Sequence, residues 1–459
     1  MHDKHGANRL QQRQLERFTD DIHSYEFFNE LTSPGLLDIL EDGLPAHRER
    51  LFPPATTLSI FMAQSLSPDA SCQAAVNRHA IERTANGLSA CSTHTGGYCR
   101  ARARLPLPLV QSLLRHTGGL MAASAHRSWR WRGRPIKLVD GSTITMADTP
   151  ENQARYPQQS GQAPGLGFPI ARVAALLCLG TGAVIDTAMG PYAGKGGSEQ
   201  ALFYRMLPHV GRGDVLIADR YYCSYFMIAL LRARGADVIS QQHHRRITDF
   251  RRGKQLGRRD HVVVWEKPAQ KPDWLDQDDY DAAPGSLSVR EIRAGSKVLV
   301  TTLLSTRNAS PKELKRLYEE RWHVELDLRN IKTTLGQDRL PCLTPNMSEK
   351  QWWVALLAYN LIRLLMMRSA KLVDVLPRQL SFKHCLQLWL AWRQQGHSLE
   401  DDDVVALLIL IAEKRVANRP GRIEPRAVKR RPKPFPPLTR PRHVAREHVR
   451  RHGHPKKLK

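Results

Sequence analysis

The chain has 459 residues, 41% of them hydrophobic, which is enough to bury a catalytic core and to form two to four domains. Its longest apolar run covers only residues 404–412, whereas a membrane helix needs roughly 18, and its first residues carry no apolar signal segment, so we expect a cytoplasmic protein without membrane contact. Lys and Arg number 69 against 44 Asp and Glu, and the net charge of +25 predicts a polyanionic partner, with DNA favoured and RNA still open at this stage.

The first 125 residues show the apolar spacing of helices and few strand signals. Apolar residues recur at helical intervals from Phe28 to Leu40 and again over residues 58–66. Arginines among small residues follow, namely Arg78, Arg83, Arg100, Arg102 and Arg104. We therefore predict a helical N-terminal DNA-binding domain over residues 1–125, although such arginines equally suit a solvated face.

From residue 126 the pattern changes to that of an α/β domain, which we extend to residue 244. The predicted elements are strands at 136–139, 171–179, 183–189, 214–218 and 236–242, and helices at 198–209 and 224–234. Asp140 and Asp219 follow the first and fourth strands, and Gly141 suits a turn after the first. This order of elements predicts a ribonuclease-H-like core with a mixed sheet.

Three further segments complete the predicted architecture. Residues 245–306 form a β-rich insertion, with strands predicted at 262–265, 287–292 and 297–304. Residues 307–415 form a helical region. Residues 416–459 form a basic disordered tail, because the last 41 residues hold 15 Lys and Arg against two Glu and contain eight prolines. Nonspecific contact with phosphates is favoured for this tail over a purely solubilising role.

Residues 310–336 carry the most informative pattern of the chain. A capping box of Ser310 and Glu313 begins the segment and Gly336 suits a C-terminal cap, so we predict one helix of about seven turns. One face is apolar, with Leu317, Val324, Leu328, Ile331 and Leu335. The face beside it is polar, with Tyr318, Arg321, Glu325 and Lys332.

The polar face has the residue types of a phosphodiester site. A carboxylate such as Glu325 can bind a hard cation, and the other three side chains can hold a DNA phosphate in register. The alternative is an ordinary helix ion pair between Arg321 and Glu325.

Asp140 and Asp219 complete the candidate metal site. Each closes a predicted strand, and ligands gather at the carboxyl ends of adjacent strands, although an Asp at a strand end is more often part of a turn or a cap. Together with Glu325 they form an oxygen-rich set that suits Mg²⁺ or Mn²⁺ and has too few soft ligands for zinc. Arg220, directly after Asp219, is a further candidate for a phosphate contact.

These residues resemble a known family. The segment 140–143, the strand 215–218 with Asp219 and Arg220, and the set formed by Tyr318, Arg321, Glu325 and Lys332 resemble the DDE transposases of bacterial insertion sequences. The spacing of the last set is similar to the Tyr-Arg-Glu-Lys signature of the IS-four type. Residues 92–106 and 358–362 also resemble parts of that family, so the resemblance runs from about residue 28 to about residue 445.

The resemblance implies a DNA transposase. Asp140, Asp219 and Glu325 would hold two divalent metal ions, with Mg²⁺ as the cofactor and Mn²⁺ as a substitute. The enzyme would bind the terminal inverted repeats of its element as a homodimer on double-stranded DNA, hydrolyse one strand and use the freed 3′ hydroxyl for strand transfer. Two alternatives remain, which are a ribonuclease-H-like nuclease without strand transfer and a non-catalytic DNA-binding repressor derived from a transposase.

Aromatic residues bear on a further property that the resemblance implies. Related enzymes release their element through a DNA hairpin, helped by a tryptophan of the insertion that stacks on a flipped base. The predicted strand 297–304 contains no Trp, which leaves Trp265 and Trp274 as substitutes, and Trp322 is predicted to be a packing residue. The pair His243 and His244 predicts a basic loop that faces DNA rather than a metal site.

Overall fold

The computed structural model describes residues 51–395, apart from 86, 88, 90, 193 and 195, together with residues 404–416 and 438–453. The helix predicted before residue 51 and most of the predicted basic tail therefore lie outside the described residues.

Four helices precede the sheet, namely α1 (Pro54–Leu66), α2 (Cys72–Ala85), α3 (Gly96–Arg104) and α4 (Leu107–Ala123). The described part of the N-terminal region is therefore helical, as predicted. Arg102 is an exception to the predicted surface role of the arginines, because it is only 4% exposed and its guanidinium lies 3.9 Å from the ring centre of Phe61. An arginine in that position stabilises the helical packing and cannot face DNA.

Within the described residues, ten strands form one sheet. They are β1 (Ile136–Met146), β2 (Ile170–Cys178), β3 (Val184–Pro191), β4 (Val215–Ala218), β5 (Asp237–Gln241), β6 (Lys254–Gly257), β7 (Asp260–Glu266), β8 (Ser286–Ala294), β9 (Lys297–Thr301) and β10 (Arg339–Leu340). Their order is β3-β2-β1-β4-β5-β9-β8-β7-β6, with β10 beside β1. The neighbours β1, β4 and β5 are parallel, whereas β1, β2 and β3 are antiparallel to each other in turn, so the predicted mixed sheet is confirmed.

Strand β1 does not end at Asp140. It continues to Met146, and its pairing with β2 includes Asp140 opposite Ala175 and Gly141 opposite Ala174. The predicted turn at Gly141 is therefore wrong, because β-branched residues follow the glycine and favour the extended chain. Gly141 instead leaves room for another side chain, since a Cβ atom there would lie 2.6 Å from the carboxyl carbon of Glu199.

The β-rich segment is part of the core sheet. Strand β9 pairs with β5, so β6 to β9 extend the sheet, and the predicted strands at 262–265 and 287–292 are confirmed. Strand β9 ends at Thr301, three residues before its predicted end. Helices α5 (Pro150–Arg155), α6 (Glu199–Met206), α7 (Tyr225–Ala233) and α8 (Gln277–Ala282) connect the strands. Of these, α6 and α7 match predicted helices, whereas α5, α8 and strand β6 were not predicted.

The C-terminal half is helical, with α9 (Pro311–Glu319), α10 (Trp322–Arg329), a π-helix (Asn330–Thr334), α11 (Pro345–Leu372), α12 (Phe382–Gln394), α13 (Val404–Glu413) and α14 (Arg442–His452). Helix α14 corrects the prediction of a wholly disordered tail, because residues 442–452 contain no proline and lie between Pro441 and Gly453. In the part of the chain that the structure describes, no helix is long and apolar enough to cross a membrane.

Helix α4 packs closely against β3 at Gly118. A Cβ atom on Gly118 would lie 2.1 Å from the backbone oxygen of Val184, which cannot move away without disturbing β3. Gly118→Ala is therefore expected to lower the free energy of unfolding by about 2 kcal/mol, as measured by denaturant unfolding.

Gly119→Ala is the matched control. A Cβ atom there meets nothing within 4 Å, and alanine favours a helix interior over glycine by roughly 0.5–1 kcal/mol. An equal loss of stability in the two variants would show that close packing of α4 is not what Gly118 provides.

Candidate active site

Parallel pairing of β1 and β4 places Asp140 and Asp219 at the same level of the sheet. Leu138 is aligned with Ile217, and each aspartate lies two positions further along its own chain segment. The Asp140 carboxylate accepts the backbone N–H of Gly141 at 2.8 Å, and that of Asp219 accepts the N–H of Tyr221 at 2.7 Å. The two carboxylates are therefore neighbours, as predicted, although only Asp219 follows the end of its strand.

The segment that carries Glu325 is not one continuous helix. After α9, backbone N–H groups bond to carbonyls three residues earlier, including Arg321 to Tyr318 and Val324 to Arg321, which tightens the chain before α10. The prediction of a single seven-turn helix is therefore wrong. Its capping box at Ser310 and Glu313 is present, and Gly336 follows the segment with a positive φ of 68°, as a C-terminal glycine cap requires.

Arg321 joins the two parts of the site. Its guanidinium donates to the Glu325 carboxylate at 2.7 Å and lies 3.4 Å from the Asp140 carboxylate. The predicted alternative of an i, i+4 ion pair is thus present, and the same side chain also bridges to β1. Through Arg321, the carboxylate of α10 faces the carboxylates of the sheet.

The other predicted DNA contacts have three different environments. Lys332 lies in the π-helix, and its ammonium donates to the Ser142 hydroxyl of β1 at 3.0 Å. Tyr318 is buried beside Arg321, and burial raises the pKa of its hydroxyl to about 12. Arg220 is exposed, with its guanidinium 5.6 Å from the ring centre of Tyr221.

The carboxylates of the site repel one another. Burial raises the pKa of Asp140 to about 7, and the charges of Asp219 and Glu199 act in the same direction. Burial also raises the pKa of Asp219, against the opposing effects of its backbone hydrogen bond and of Arg321. A cation between these groups would relieve this repulsion.

Glu199 was not predicted as a site residue. It is the first residue of α6, a helix that the sequence pattern predicted to begin at residue 198. In the structure Ser198 caps that helix, because its side chain accepts a hydrogen bond from the Ala201 N–H. Burial raises the pKa of Glu199, and the charge of Asp219 raises it further. The available sequence signal was a glutamate in the first turn of the helix that follows the hairpin, but spacing along the chain does not show that its side chain lies over Gly141.

Trp265 and Trp322 differ from their predicted roles, whereas the role of Trp274 stays a prediction. Trp265 is 4% exposed, its indole N–H donates to Glu291 at 3.0 Å, and Arg246 covers its ring at 3.6 Å, so it cannot stack on a base in this arrangement. Trp322 is 55% exposed, which corrects the prediction of a packing residue. Trp274 is half-buried against Tyr204.

His243 and His244 lie in a loop just after β5, with ring centres 4.3 Å apart. That loop also contains the exposed Arg245, so the predicted basic character is confirmed, whereas contact with DNA stays a prediction.

The donor set fits a divalent cation by its chemistry. Asp140, Asp219 and Glu325 offer only carboxylate oxygens, which hard cations prefer. In the described part of the chain, no three His, Cys, Asp or Glu side chains are already drawn together tightly enough to hold a metal. The guanidinium of Arg321 lies between Asp140 and Glu325, where it partly balances their charge, so its side chain would have to shift for both to reach one cation.

Comparisons with known proteins show which proteins this chain is similar to. The family described as "Transposase DDE domain" matches residues 131–361, which is half of the chain and includes all three carboxylates. The transposase InsG for insertion sequence element IS4 of Escherichia coli (strain K12) is 26% identical over 359 residues, covering 73% of this chain and 77% of that protein. The solved piggyBac transposase synaptic complex with hairpin DNA is a distant likeness, with a TM-score of 0.39, 10% identity and coverage of 87% of this chain and 86% of that one.

The match to the transposase domain extends from before β1 to α11, and it therefore includes the sheet neighbours β1 and β4 as well as the helix of Glu325. Enzymes with this domain act on DNA and use divalent metal ions. The chain therefore belongs to the DDE transposases, of the type found in insertion sequence IS4.

Proposed function

We propose that this transposase cuts the terminal inverted repeats of its own mobile element and joins them to target DNA, with Asp140, Asp219 and Glu325 as its catalytic metal ligands. The observation that supports this proposal is the placement of three carboxylates from distant parts of the chain around Arg321 and the paired strands β1 and β4. Two lie level on adjacent parallel strands, and the third is linked to the first through Arg321.

We propose Mg²⁺ as the cofactor, with Mn²⁺ as a substitute, because all three side chains are hard oxygen ligands. When bound, such ions lower the pKa of water and neutralise the charge that develops on a phosphate. The carboxylates must be ionised to bind them, and Arg321 must release at least one of its two partners.

The cationic residues around the site hold the DNA backbone in this proposal. Released from Asp140, Arg321 grips a phosphate with two parallel donors, and Lys332 holds the strand from its place beside Ser142. Arg220 is exposed next to Asp219 and contacts a neighbouring phosphate. Tyr318 is buried, so its part is to position Arg321 with its hydroxyl, which lies beside the guanidinium.

The fold proposed for the catalytic core is ribonuclease-H-like. The strand order β3-β2-β1-β4-β5, with β1 to β3 antiparallel and β1, β4 and β5 parallel, supports this assignment. Residues 126–244 with the helices of 307–415 form the core, residues 245–306 enlarge its sheet, and residues 1–125 bind the element ends. The functional unit is a homodimer on DNA, because both ends of an element must be held for joining.

A joining assay tests this function. The substrate is a plasmid in which DNA from the two flanks of the coding sequence surrounds a marker, incubated with the full chain, Mg²⁺ and a second target plasmid. Marker joined to target DNA is the expected product. Cleavage without joining would support a structure-selective nuclease instead, and binding of the flanks without any cleavage would support a DNA-binding repressor.

A further inference from the structure

A fourth carboxylate borders the proposed metal site. Glu199 begins α6, whose N-terminal N–H groups favour negative charge, and Ser198 fixes the start of the helix. The side chain of Glu199 extends over β1 into the space that Gly141 leaves open. A Cβ atom at position 141 would lie 2.6 to 2.8 Å from the carboxyl carbon, the Cγ atom and one carboxylate oxygen of Glu199. The Glu199 carboxylate therefore packs against β1 at Gly141, the residue directly after Asp140.

A buried hydroxyl is directed into the same cluster. Tyr222 is 1% exposed, and the charges of Glu199, Asp140 and Asp219 all add to the effect of burial in raising the pKa of its hydroxyl. That hydroxyl lies beside the Glu199 carboxylate, yet it makes no hydrogen bond of regular geometry with any described residue. A polar group left in this state next to three carboxylates indicates that a ligand or its bound water belongs there.

The positive charge near Glu199 does not balance it. Arg172 is close enough to lower the pKa of Glu199, but its guanidinium donates to the Gly197 carbonyl at 2.9 Å. Among the residues that the structure describes, Glu199 forms no ion pair, whereas Arg321 pairs with both Asp140 and Glu325. Glu199 is half-buried, and a carboxylate withdrawn from water without a paired cation is destabilising unless another positive charge occupies the site.

We propose that Glu199 adds a fourth carboxylate to the divalent-cation site formed by Asp140 and Asp219. This inference rests on the proposed function, since it takes that cation site as given. Its chemistry is that of a hard cation surrounded by oxygen, and the Tyr222 hydroxyl lies where it would orient the Glu199 carboxylate towards the cation. Three features from different parts of the fold support this role: the room left by Gly141 on β1, the neighbouring Asp219 carboxylate after β4, and the buried Tyr222 hydroxyl.

Calorimetric titration of the metal-free full chain with Mn²⁺ alone tests the proposal. Glu199→Gln keeps the shape of the side chain and removes its charge, and it is expected to weaken Mn²⁺ binding by roughly 10- to 100-fold. Glu151→Gln is the matched control, because Glu151 is an exposed glutamate in the first turn of another helix, and its affinity is expected to equal that of the unchanged chain. Thermal unfolding of each variant verifies that the fold is retained.

Gly141→Ala provides an independent variant. Its new methyl group would displace the Glu199 side chain, so it is expected to weaken Mn²⁺ binding in the unchanged chain and to add little when Glu199→Gln is already present. If Gly141→Ala weakened Mn²⁺ binding equally with and without Glu199→Gln, the proposed role of Gly141 in making room for Glu199 would be wrong.

Asp219→Asn separates this inference from the proposed function. If Asp219→Asn weakens Mn²⁺ binding and Glu199→Gln leaves it within twofold of the unchanged chain, the metal site stands and the role of Glu199 is wrong. If neither substitution changes Mn²⁺ binding, the proposed metal site itself is wrong, and the inference fails with it.

Discussion

Asp140→Asn is expected to abolish metal-dependent DNA cleavage and, at the same time, to stabilise the metal-free protein. The loss of activity follows from removing one anionic ligand next to Asp219 and should reach roughly 10³-fold or more. The gain in stability follows because burial and the neighbouring carboxylates raise the pKa of Asp140 from 3.8 to about 7. The charged form is therefore disfavoured in the folded state.

The pH dependence of this gain has a definite sign. A carboxylate whose pKa is higher in the folded state than in the unfolded state takes up its proton more readily when folded, so its contribution to stability is lost as the pH rises from about 4 to about 7. Asp140→Asn should accordingly raise the free energy of unfolding by on the order of 2 kcal/mol at pH 8, which is about half of the free energy that corresponds to the whole pKa shift of Asp140. Near pH 4 the substitution should change the free energy of unfolding little.

Thermal unfolding with EDTA at several pH values measures this effect. Asp148→Asn is the control, since Asp148 is exposed near the end of the same strand and accepts a hydrogen bond from the Gln153 amide at 2.9 Å. If Asp140→Asn lost both activity and stability at pH 8, Asp140 would be a residue that stabilises the fold. The account instead requires a functional residue whose charge destabilises the fold.

Asp327→Ala is expected to have the largest effect on stability. Asp327 is 1% exposed and pairs with two buried arginines, Arg363 and Arg378, the latter at 2.9 Å. Removing it would leave two guanidinium groups buried without a carboxylate, which costs about 3 to 5 kcal/mol for a single broken buried pair. We expect a loss of at least that size in denaturant unfolding.

The position of Asp327 gives this substitution a second effect. It lies on α10 with Glu325, while Arg363 lies on α11 and donates to the Tyr359 hydroxyl at 2.7 Å. Arg378 also donates to the Cys178 carbonyl at the end of β2 at 3.2 Å. Asp327 thus fixes the glutamate helix to the rest of the core, and DNA cleavage by the folded fraction of Asp327→Ala should fall as well.

Asp148→Ala serves as the control for the stability loss, because an exposed aspartate typically contributes about 0.5 kcal/mol or less. If Asp327→Ala cost no more than this control, the buried ion pairs would not be what holds α10 in place.

Some features of the fold follow directly from sequence patterns. Apart from α5, the order of strands and helices from residue 136 to 241 follows the hydrophobic periodicity of the sequence. The apolar residues of 310–336, such as Val324 and Ile331, are buried as predicted. The capping box at Ser310 is a local motif, so the sequence around it determines it without help from the rest of the fold.

The features that the sequence did not reveal depend on contacts between distant segments. The local sequence predicts a turn at Gly141, because a glycine that makes room for Glu199 has the same local signature as a glycine that ends a strand. At the break between α9 and α10, Arg321 contacts both β1 and α10, and the contact with β1 joins residues far apart in the sequence. Arg102, a predicted candidate for DNA contact, is buried by residues far from it in the sequence, among them Phe61 of α1 and Cys342.

The position of Mn²⁺ in crystals of the full chain bound to a cleaved element end tests the central claim most directly. Anomalous diffraction should locate the metal about 2 Å from carboxylate oxygens of Asp140 and Asp219, with Glu325 bound to the same or to a second ion about 3.5 to 4 Å away. The guanidinium of Arg321 should then have left Asp140 and contact a DNA phosphate. Mn²⁺ bound elsewhere, with Arg321 still between Asp140 and Glu325, would contradict the assignment of these three residues as the catalytic metal ligands.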